Sequence, residues 1–128
     1  MNTHHKSDQS RQFKEETVTE NRPWGKFVSF PHRNASSVKI ITINPGQSLS
    51  LQYHKHRSEF WIILDKGLEI TVGDKVWRPV KNEEISIPPR APHRVRNTVT
   101  EAARILEFWI GDSAEEDIVR LMDNYGRK

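Results

Sequence analysis

The chain carries a series of short extended-strand patterns with turn signals between them, and this series constrains the fold more than any other feature. Residues 37–43 are rich in β-branched side chains, and residues 48–54 alternate polar and apolar side chains as a half-buried strand does. Residues 59–65 form an apolar run, and residues 103–110 close the series before Gly111. Helical periodicity is absent until that point. Eight or nine such strands predict an all-β fold, an antiparallel sandwich or barrel.

The segment after the last strand pattern has a different character. Ser113 is a candidate N-cap with acidic residues in the turn that follows, and Ile118, Leu121 and Met122 recur at helical spacing. We therefore expect one short C-terminal helix that lies on the barrel.

Residues 1–21 contain almost no apolar side chains and are predicted to form a flexible N-terminal arm. The remainder of the 128 residues, 22–128, is the size of a single domain. The net charge of +3 comes from Lys and Arg spread along the chain, so no nucleic-acid partner is expected. The chain has no cysteine, which excludes disulfides and thiolate metal sites. No segment resembles a secretory signal or a membrane span, so a cytoplasmic location and no membrane partner are expected.

Possible metal ligands are concentrated just before the apolar run. If the preceding strand extends through His56, then Gln52, His54 and His56 point to the same face. Two imidazoles two residues apart on a strand can bind one divalent ion. Glu59, past a bend at residues 57–58, can add a carboxylate oxygen to the same ion.

His93 offers a third imidazole from a distant part of the chain. It begins a strand directly after the proline-rich segment IPPRAP, which would fix its direction. Three imidazoles, or two with a carboxylate, leave one coordination position open, as catalytic metal sites do. These donors suit zinc, iron, manganese, nickel or cobalt, and the sequence does not select among them. The alternative interpretation is that the His-x-His pair lies on an ordinary exposed strand face.

These residues resemble the motifs of the cupin superfamily, and a narrower resemblance covers residues 22–127. The segments RPWG, LSLQYHKHRSEFW, IPPRAPHRVRN and DIVRLMDNYGR are similar to the type II mannose-6-phosphate isomerase cupin domain, which is also the C-terminal part of bifunctional mannose-1-phosphate guanylyltransferases. The resemblance implies a double-stranded β-helix that interconverts mannose 6-phosphate and fructose 6-phosphate. Phe60 and Trp109 stand where that family usually has His and Gln.

Under this resemblance, His54, His56, Glu59 and His93 are expected to hold one divalent ion, with zinc preferred. Gln52 is expected to bind substrate, or to replace Glu59 as a ligand if that side chain points elsewhere. Glu107 matches a family glutamate and is the candidate catalytic base. The alternative for Glu107 is a solvated or salt-bridged strand carboxylate.

The phosphate of a sugar-phosphate substrate requires cations, and arginine suits bidentate phosphate binding. Four arginines are candidates, with ordinary charges at the rim of the site as the alternative: Arg57, Arg90, Arg94 and Arg127.

Three functions follow from the sequence. The first is a metal-dependent sugar-phosphate isomerase, expected to form a homodimer through its edge strands. The second is a non-catalytic cupin that binds a sugar or nucleotide sugar and has a regulatory role, which the departures at Phe60 and Trp109 keep open. The third is another metal-dependent cupin enzyme, such as a dioxygenase.

Overall fold

The computed structural model describes residues 15–31, 37–111, 117–123 and 125. Across these residues the chain forms eleven β-strands, and every pair of neighbouring strands is antiparallel. The predicted all-β, antiparallel fold is therefore confirmed. In chain order the strands are β1 (Val18–Arg22), β2 (Gly25–Phe30), β3 (Ser37–Ile43), β4 (Leu51–Tyr53), β5 (Arg57–Ile63), β6 (Leu68–Val72), β7 (Lys75–Trp77), β8 (Glu84–Ile87), β9 (His93–Asn97), β10 (Ala103–Gly111) and β11 (Val119–Met122).

The strands form two sheets that enclose one core. The first sheet has the order β1-β2-β3-β10-β5-β8, and the second has the order β11-β4-β9-β6-β7. Strands that are distant in sequence are neighbours in both sheets, so most of the pairing is long-range. The most deeply buried aliphatic side chains come from both sheets, which places the core between them: Ile43, Ile63, Leu68, Ile70, Val95 and Ile105.

The inward faces of β3, β5 and β10 follow strict alternation, with every second residue buried. Near one end of these strands, Ile105 of β10 lies opposite Ile41 of β3 and Ile63 of β5. All three side chains are buried, and each such side chain contributes about 1.5–3 kcal/mol when it is removed from water. Aliphatic packing therefore holds this end of the sheet together.

Charged residues continue the same inward alternation toward the other end of these strands. Two positions past Ile105, Glu107 lies opposite Lys39 of β3 and Trp61 of β5. Trp109 comes next on β10 and lies opposite Glu59 of β5. A single face of one sheet therefore changes from aliphatic to charged along its strands.

The predicted C-terminal helix is wrong for the part of the segment that the structure describes. Val119–Met122 is strand β11, which pairs with β4 through a register shift between Arg120 and Met122. Leu121 and Met122 are about half exposed, at 50% and 59%, so helical spacing did not bury an apolar stripe. Pairing instead satisfies the backbone groups along the edge of β4, which local propensity cannot anticipate. The predicted N-cap, Ser113, lies outside the described residues.

Strand β1 begins at Val18, within the segment that the sequence assigned to the N-terminal arm. It pairs with β2 from Val18 to Arg22, although all of its residues are exposed. Residues 1–14 of that segment lie outside the described residues. None of the helices in the described ranges has the length and apolar character needed to cross a membrane.

Candidate metal centre

The turn between β4 and β5 comes earlier than the sequence suggested. β4 ends at Tyr53 and β5 already begins at Arg57, so the chain bends at Lys55 and His56. The alternation that was expected to bring His56 beside His54 is therefore interrupted. His54 is buried, whereas His56 is exposed and does not join the group of candidate ligands.

Asp117, just before β11, holds this turn in place. Its carboxylate accepts hydrogen bonds from the backbone amides of Lys55 and His56, both at 2.9 Å. The bond from the Lys55 amide is the largest of the effects that lower the pKa of Asp117. The backbone carbonyl of Asp117 accepts a hydrogen bond from Nδ1 of His54 at 2.5 Å. One residue thus fixes both the bend and the orientation of the His54 ring.

Three buried side chains converge from β5, β9 and the end of β4. Oε2 of Glu59 lies 2.9 Å from Nε2 of His54 and 3.0 Å from Nε2 of His93. One ligand atom from each residue lies within 4.8 Å of the other two. Three of the four predicted metal ligands therefore meet at one point inside the barrel.

The hydrogen bonds of the two histidines direct their remaining lone pairs at Glu59. Nδ1 of His54 donates to Asp117, and Nδ1 of His93 donates to the carbonyl of Ala91 at 2.9 Å. In neutral rings this assignment leaves each Nε2 as an acceptor. A hydrogen bond from Nε2 to Glu59 then requires a second proton on a ring. Oε2 of Glu59 and Nε2 of His93 are buried, with no hydrogen-bond partner among the described residues.

A divalent cation would satisfy Oε2 of Glu59 and Nε2 of His93 at once, and it would replace the Arg57 guanidinium as the partner of Nε2 of His54. Two imidazoles and one carboxylate are a donor set of catalytic zinc sites, with a position left open for water or substrate. Burial by itself raises the pKa of Glu59, but its contacts with His54 and His93 lower that pKa to well below the usual range. Glu59 is therefore ionised at neutral pH, as a metal ligand must be. The residues present fit a divalent metal.

Two glutamates and two tryptophans form a crossed pattern beside this cluster. Glu59 lies opposite Trp109, and Trp61 lies opposite Glu107 on the neighbouring strand. Each indole N–H donates to the glutamate two residues earlier on its own strand, Trp109 to Glu107 at 2.7 Å and Trp61 to Glu59 at 3.3 Å. The pattern holds both carboxyl groups in fixed positions on the inner face of the sheet.

Glu107, the predicted catalytic base, is buried next to the metal ligands. Burial raises its pKa, and the negative charge of Glu59 and a hydrogen bond with Glu59 raise it further. The charges of Lys39 and Arg57 act in the opposite direction, but the net pKa is well above the ordinary value for glutamate. The sequence left open that Glu107 is a solvated carboxylate, and its burial, with 7% exposed, excludes this.

Arg57 and Gln52, two of the predicted substrate residues, lie beside this cluster. Arg57 is buried, with a guanidinium nitrogen 3.0 Å from Nε2 of His54 and its Cζ 3.3 Å from the ring centre of Trp109. Gln52 accepts a hydrogen bond from the Ser50 hydroxyl at 2.7 Å and pairs in register with His93. Because Gln52 lies beside His93, its side chain can contact either the substrate or the metal.

The other predicted arginines have separate places. Arg94 is half-buried and lines a small cavity beside His93. Arg90 is exposed in the turn after β8, where its backbone amide donates to the carbonyl of His54 at 2.6 Å. The backbone of Arg90 therefore helps to position His54. Arg127 lies outside the described residues.

The two departures from the resembled family lie on opposite faces of the sheet. Phe60 points away from the metal ligands, because it follows Glu59 in an alternating strand, and it packs against Phe108 at 6.1 Å between ring centres. Trp109 points inward and lines a cavity of about 160 Å³ next to Glu107. Only the departure at Trp109 therefore touches the candidate site.

Sequence reasoning missed Lys39 and Asp117. Lys39 is buried and lines the same cavity as Trp109. In the sequence, Lys39 is the single charged residue among the β-branched residues of β3. Because both faces of that strand carry apolar residues, alternation did not predict whether the Lys39 side chain points inward or outward. Asp117 was assigned to a helix and received no role.

Two antiparallel sheets that enclose a histidine–glutamate cluster define a cupin with a candidate metal site. Solved structures share this fold. The cupin domain of Cnp3 from Schizosaccharomyces pombe superposes with a TM-score of 0.65 at 20% identity, over 77% of this chain and 72% of that chain. The capsular polysaccharide assembling protein CapF from Staphylococcus aureus gives a TM-score of 0.70 at 15% identity, over 83% of this chain and 34% of that chain.

The chain belongs to the family described as mannose-6-phosphate isomerase C-terminal, which matches residues 8–123. Among its relatives, the xanthan biosynthesis protein XanB of Xanthomonas campestris is 40% identical over 107 residues, which are 83% of this chain and 23% of XanB. Mannose-1-phosphate guanylyltransferase 2 of Escherichia coli O157:H7 is 40% identical over 105 residues, which are 81% of this chain and 22% of that protein. The chain thus spans less than a quarter of the length of these curated relatives.

Proposed function

We propose that the protein is a metal-dependent aldose–ketose isomerase that converts mannose 6-phosphate to fructose 6-phosphate. One observation carries the proposal: the ligand atoms of His54, Glu59 and His93 meet within 4.8 Å, directly beside Glu107, a second buried carboxyl group. This arrangement provides a place for a Lewis acid and a separate group that can carry a proton. The family to which the chain belongs supports a sugar as the substrate.

His54, Glu59 and His93 would hold the ion, and Gln52, which pairs in register with His93, would contact either the ion or the sugar. Zinc is the preferred ion, because this donor set occurs in catalytic zinc sites, and manganese, iron, nickel and cobalt are the alternatives. When bound, a divalent ion supplies Lewis acidity toward the sugar oxygens during enolisation.

Glu107 is the group that would move the proton between C1 and C2. Its raised pKa allows it to hold and release a proton at a pH at which an ordinary glutamate is fully ionised. The indole N–H of Trp109 keeps its carboxyl group oriented. As a base, Glu107 acts only when deprotonated, so activity is expected to rise as the pH increases through its pKa.

The test is an isomerase assay on zinc-loaded protein, with fructose 6-phosphate formation coupled to a dehydrogenase. Glu107→Gln keeps the shape of the side chain and should lower kcat by about 100- to 10,000-fold, the usual contribution of a general acid–base group. Metal content should stay unchanged in this variant. His54→Ala should lose both bound metal and activity. Wild-type protein that forms no fructose 6-phosphate with any of the five metals would contradict the isomerase.

A second candidate is a cupin that binds a sugar phosphate without turning it over. The observation in its favour is that Glu107 already accepts a hydrogen bond from Trp109, which lines the same cavity and stands where the resembled family has Gln. Mannose 6-phosphate binding with no product under any metal would support this candidate and contradict the isomerase. Oxygen consumption that requires iron would instead support a dioxygenase.

A homodimer and a cytoplasmic location remain predictions from the sequence. Sedimentation of the purified chain would test the first.

A further inference from the structure

Beside the metal ligands lies a cavity of about 160 Å³ whose lining is strongly cationic, and we call it the cation-lined cavity. Among the residues that the structure describes, one carboxyl group, that of Glu107, and four basic side chains line it: Arg22, which also pairs with Glu20 at 3.6 Å, Lys39, Arg57 and Arg120. Even with Glu107 ionised, the basic groups outnumber the acidic one. Such a lining attracts an anion.

Two of these cations are held on the inner face of the sheet. Lys39 and Arg57 are 6% and 5% exposed, which is rare for charged side chains. They lie on the indole of Trp109, with Nζ of Lys39 at 4.0 Å and Cζ of Arg57 at 3.3 Å from the ring centre. Nζ of Lys39 also lies 4.4 Å from the ring centre of Phe27. Contacts with aromatic faces offset part of the desolvation of the two charges and fix where they point.

The cation-lined cavity is continuous in its walls with the small cavity beside His93. Leu49, Ser50, Gln52 and Glu107 line both. A ligand that fits this pair of cavities has an anionic group at one end and oxygen-bearing carbons at the other. A planar guanidinium such as that of Arg57 and a point charge such as that of Lys39 both suit a phosphate group.

We propose that the cation-lined cavity binds the phosphate group of the substrate, and that Lys39 and Arg57 are the residues that bind it. The inference rests on the proposed function in taking that phosphate to belong to a sugar. It gives the phosphate a place on β3 and β5, within the barrel. Arg90, which the sequence also suggested for this role, is exposed in a turn.

Isothermal titration of the metal-loaded full chain with inorganic phosphate, mannose 6-phosphate and mannose tests the proposal. Wild-type protein should bind both phosphate ligands and bind mannose far more weakly. Lys39→Met removes the charge but keeps an unbranched apolar side chain among the aromatic rings. It should weaken both phosphate ligands by about 10- to 100-fold, the usual effect of losing a charged hydrogen-bond partner. Zinc affinity should not change.

Lys26→Met is the matched control, because Lys26 is exposed on the neighbouring strand β2 and does not line the cavity. If Lys39→Met fails to fold, Arg57→Gln makes the same measurement on the other residue proposed to bind the phosphate, with zinc content checked because Arg57 contacts His54. Unchanged phosphate affinity in the folded cavity variant overturns the inference, as does equal binding of mannose and mannose 6-phosphate. Phosphate binding that depends on Lys39 but occurs without isomerisation would uphold this inference and reject the proposed reaction.

Discussion

The inner face of the first sheet has two halves with opposite chemistry on the same strands. In the aliphatic half, Ile41, Ile43, Ile63, Ala103 and Ile105 are packed with almost no exposure. In the polar half, β3, β5 and β10 place charged or hydrogen-bonding side chains at equally buried positions: Lys39, Arg57, Glu59, Glu107 and Trp109. Backbone pairing is continuous through both halves.

The difference shows how a small barrel can hold a reactive site. Burying several charges costs free energy, and the polar half offsets only part of that cost through ion pairs and aromatic contacts. The aliphatic half supplies the stabilisation that the polar half lacks. We therefore expect changes in the first half to affect folding, and changes in the second to affect metal and substrate.

The largest expected effect on stability is in the aliphatic half. Ile105→Ala leaves a cavity between Ile41 and Ile63 and should lower the free energy of unfolding by about 2–5 kcal/mol. Urea denaturation followed by tryptophan fluorescence measures this. Ile110→Ala, at a 53% exposed position on the same strand, is the control and should change stability by less than about 0.5 kcal/mol. Equal losses of unfolding free energy in the two variants would show that the aliphatic half does not supply the stabilisation.

In the polar half, Glu59→Gln should weaken zinc binding by more than about 100-fold. Loss of a residue that only hydrogen-bonds to a metal ligand costs about 10- to 100-fold in metal affinity, and loss of a ligand itself should cost more. Its stability loss should be smaller than that of Ile105→Ala, because a glutamine amide can donate to an imidazole Nε2. The pKa of Glu107 should fall, since the charge of Glu59 is second only to burial in raising it. Carboxyl-carbon NMR of metal-free protein measures this pKa. A pKa of Glu107 that stays unchanged would show that the two carboxyl groups are not coupled.

The smallest effect concerns the outer side of the aliphatic half, where Arg104 donates to Asp65 at 2.8 Å. That hydrogen bond is the main cause that lowers the pKa of Asp65 below 3.8. Because the folded-state pKa is lowered, the contribution to stability is complete above pH 3.8 and is lost as the pH falls toward the folded value. For this exposed pair, Asp65→Asn should cost about 0.2–1 kcal/mol at pH 7 and less below pH 4.

Thermal unfolding of the Asp65→Asn protein between pH 3 and pH 7 provides the measurement, with Asp74→Asn in the exposed turn before β7 as the control. A difference from wild type that grows as the pH falls would contradict the expected sign.

Much of the strand pattern could be predicted, because inward and outward positions alternate along each strand. The same rule failed at His56, because the Asp117 carboxylate bends the chain two residues earlier than alternation suggested. It also gave no direction for Lys39, since β3 is apolar on both faces. The helix predicted across Ile118, Leu121 and Met122 failed because the free edge of β4 offered a partner that spacing along the chain does not reveal.

The sequence by itself determined the all-β class and three residues that meet at the candidate metal centre, His54, Glu59 and His93. The all-β class follows from the alternation along the strands, and the three residues follow from their residue types and from the resemblance of their motifs to cupins. Only the tertiary structure decided that His56 stays outside the centre and that Glu107 lies against Glu59. It also decided that Lys39 and Arg57 lie on the faces of one indole. These outcomes depend on which strands become neighbours and in what register, and that choice is made by long-range pairing.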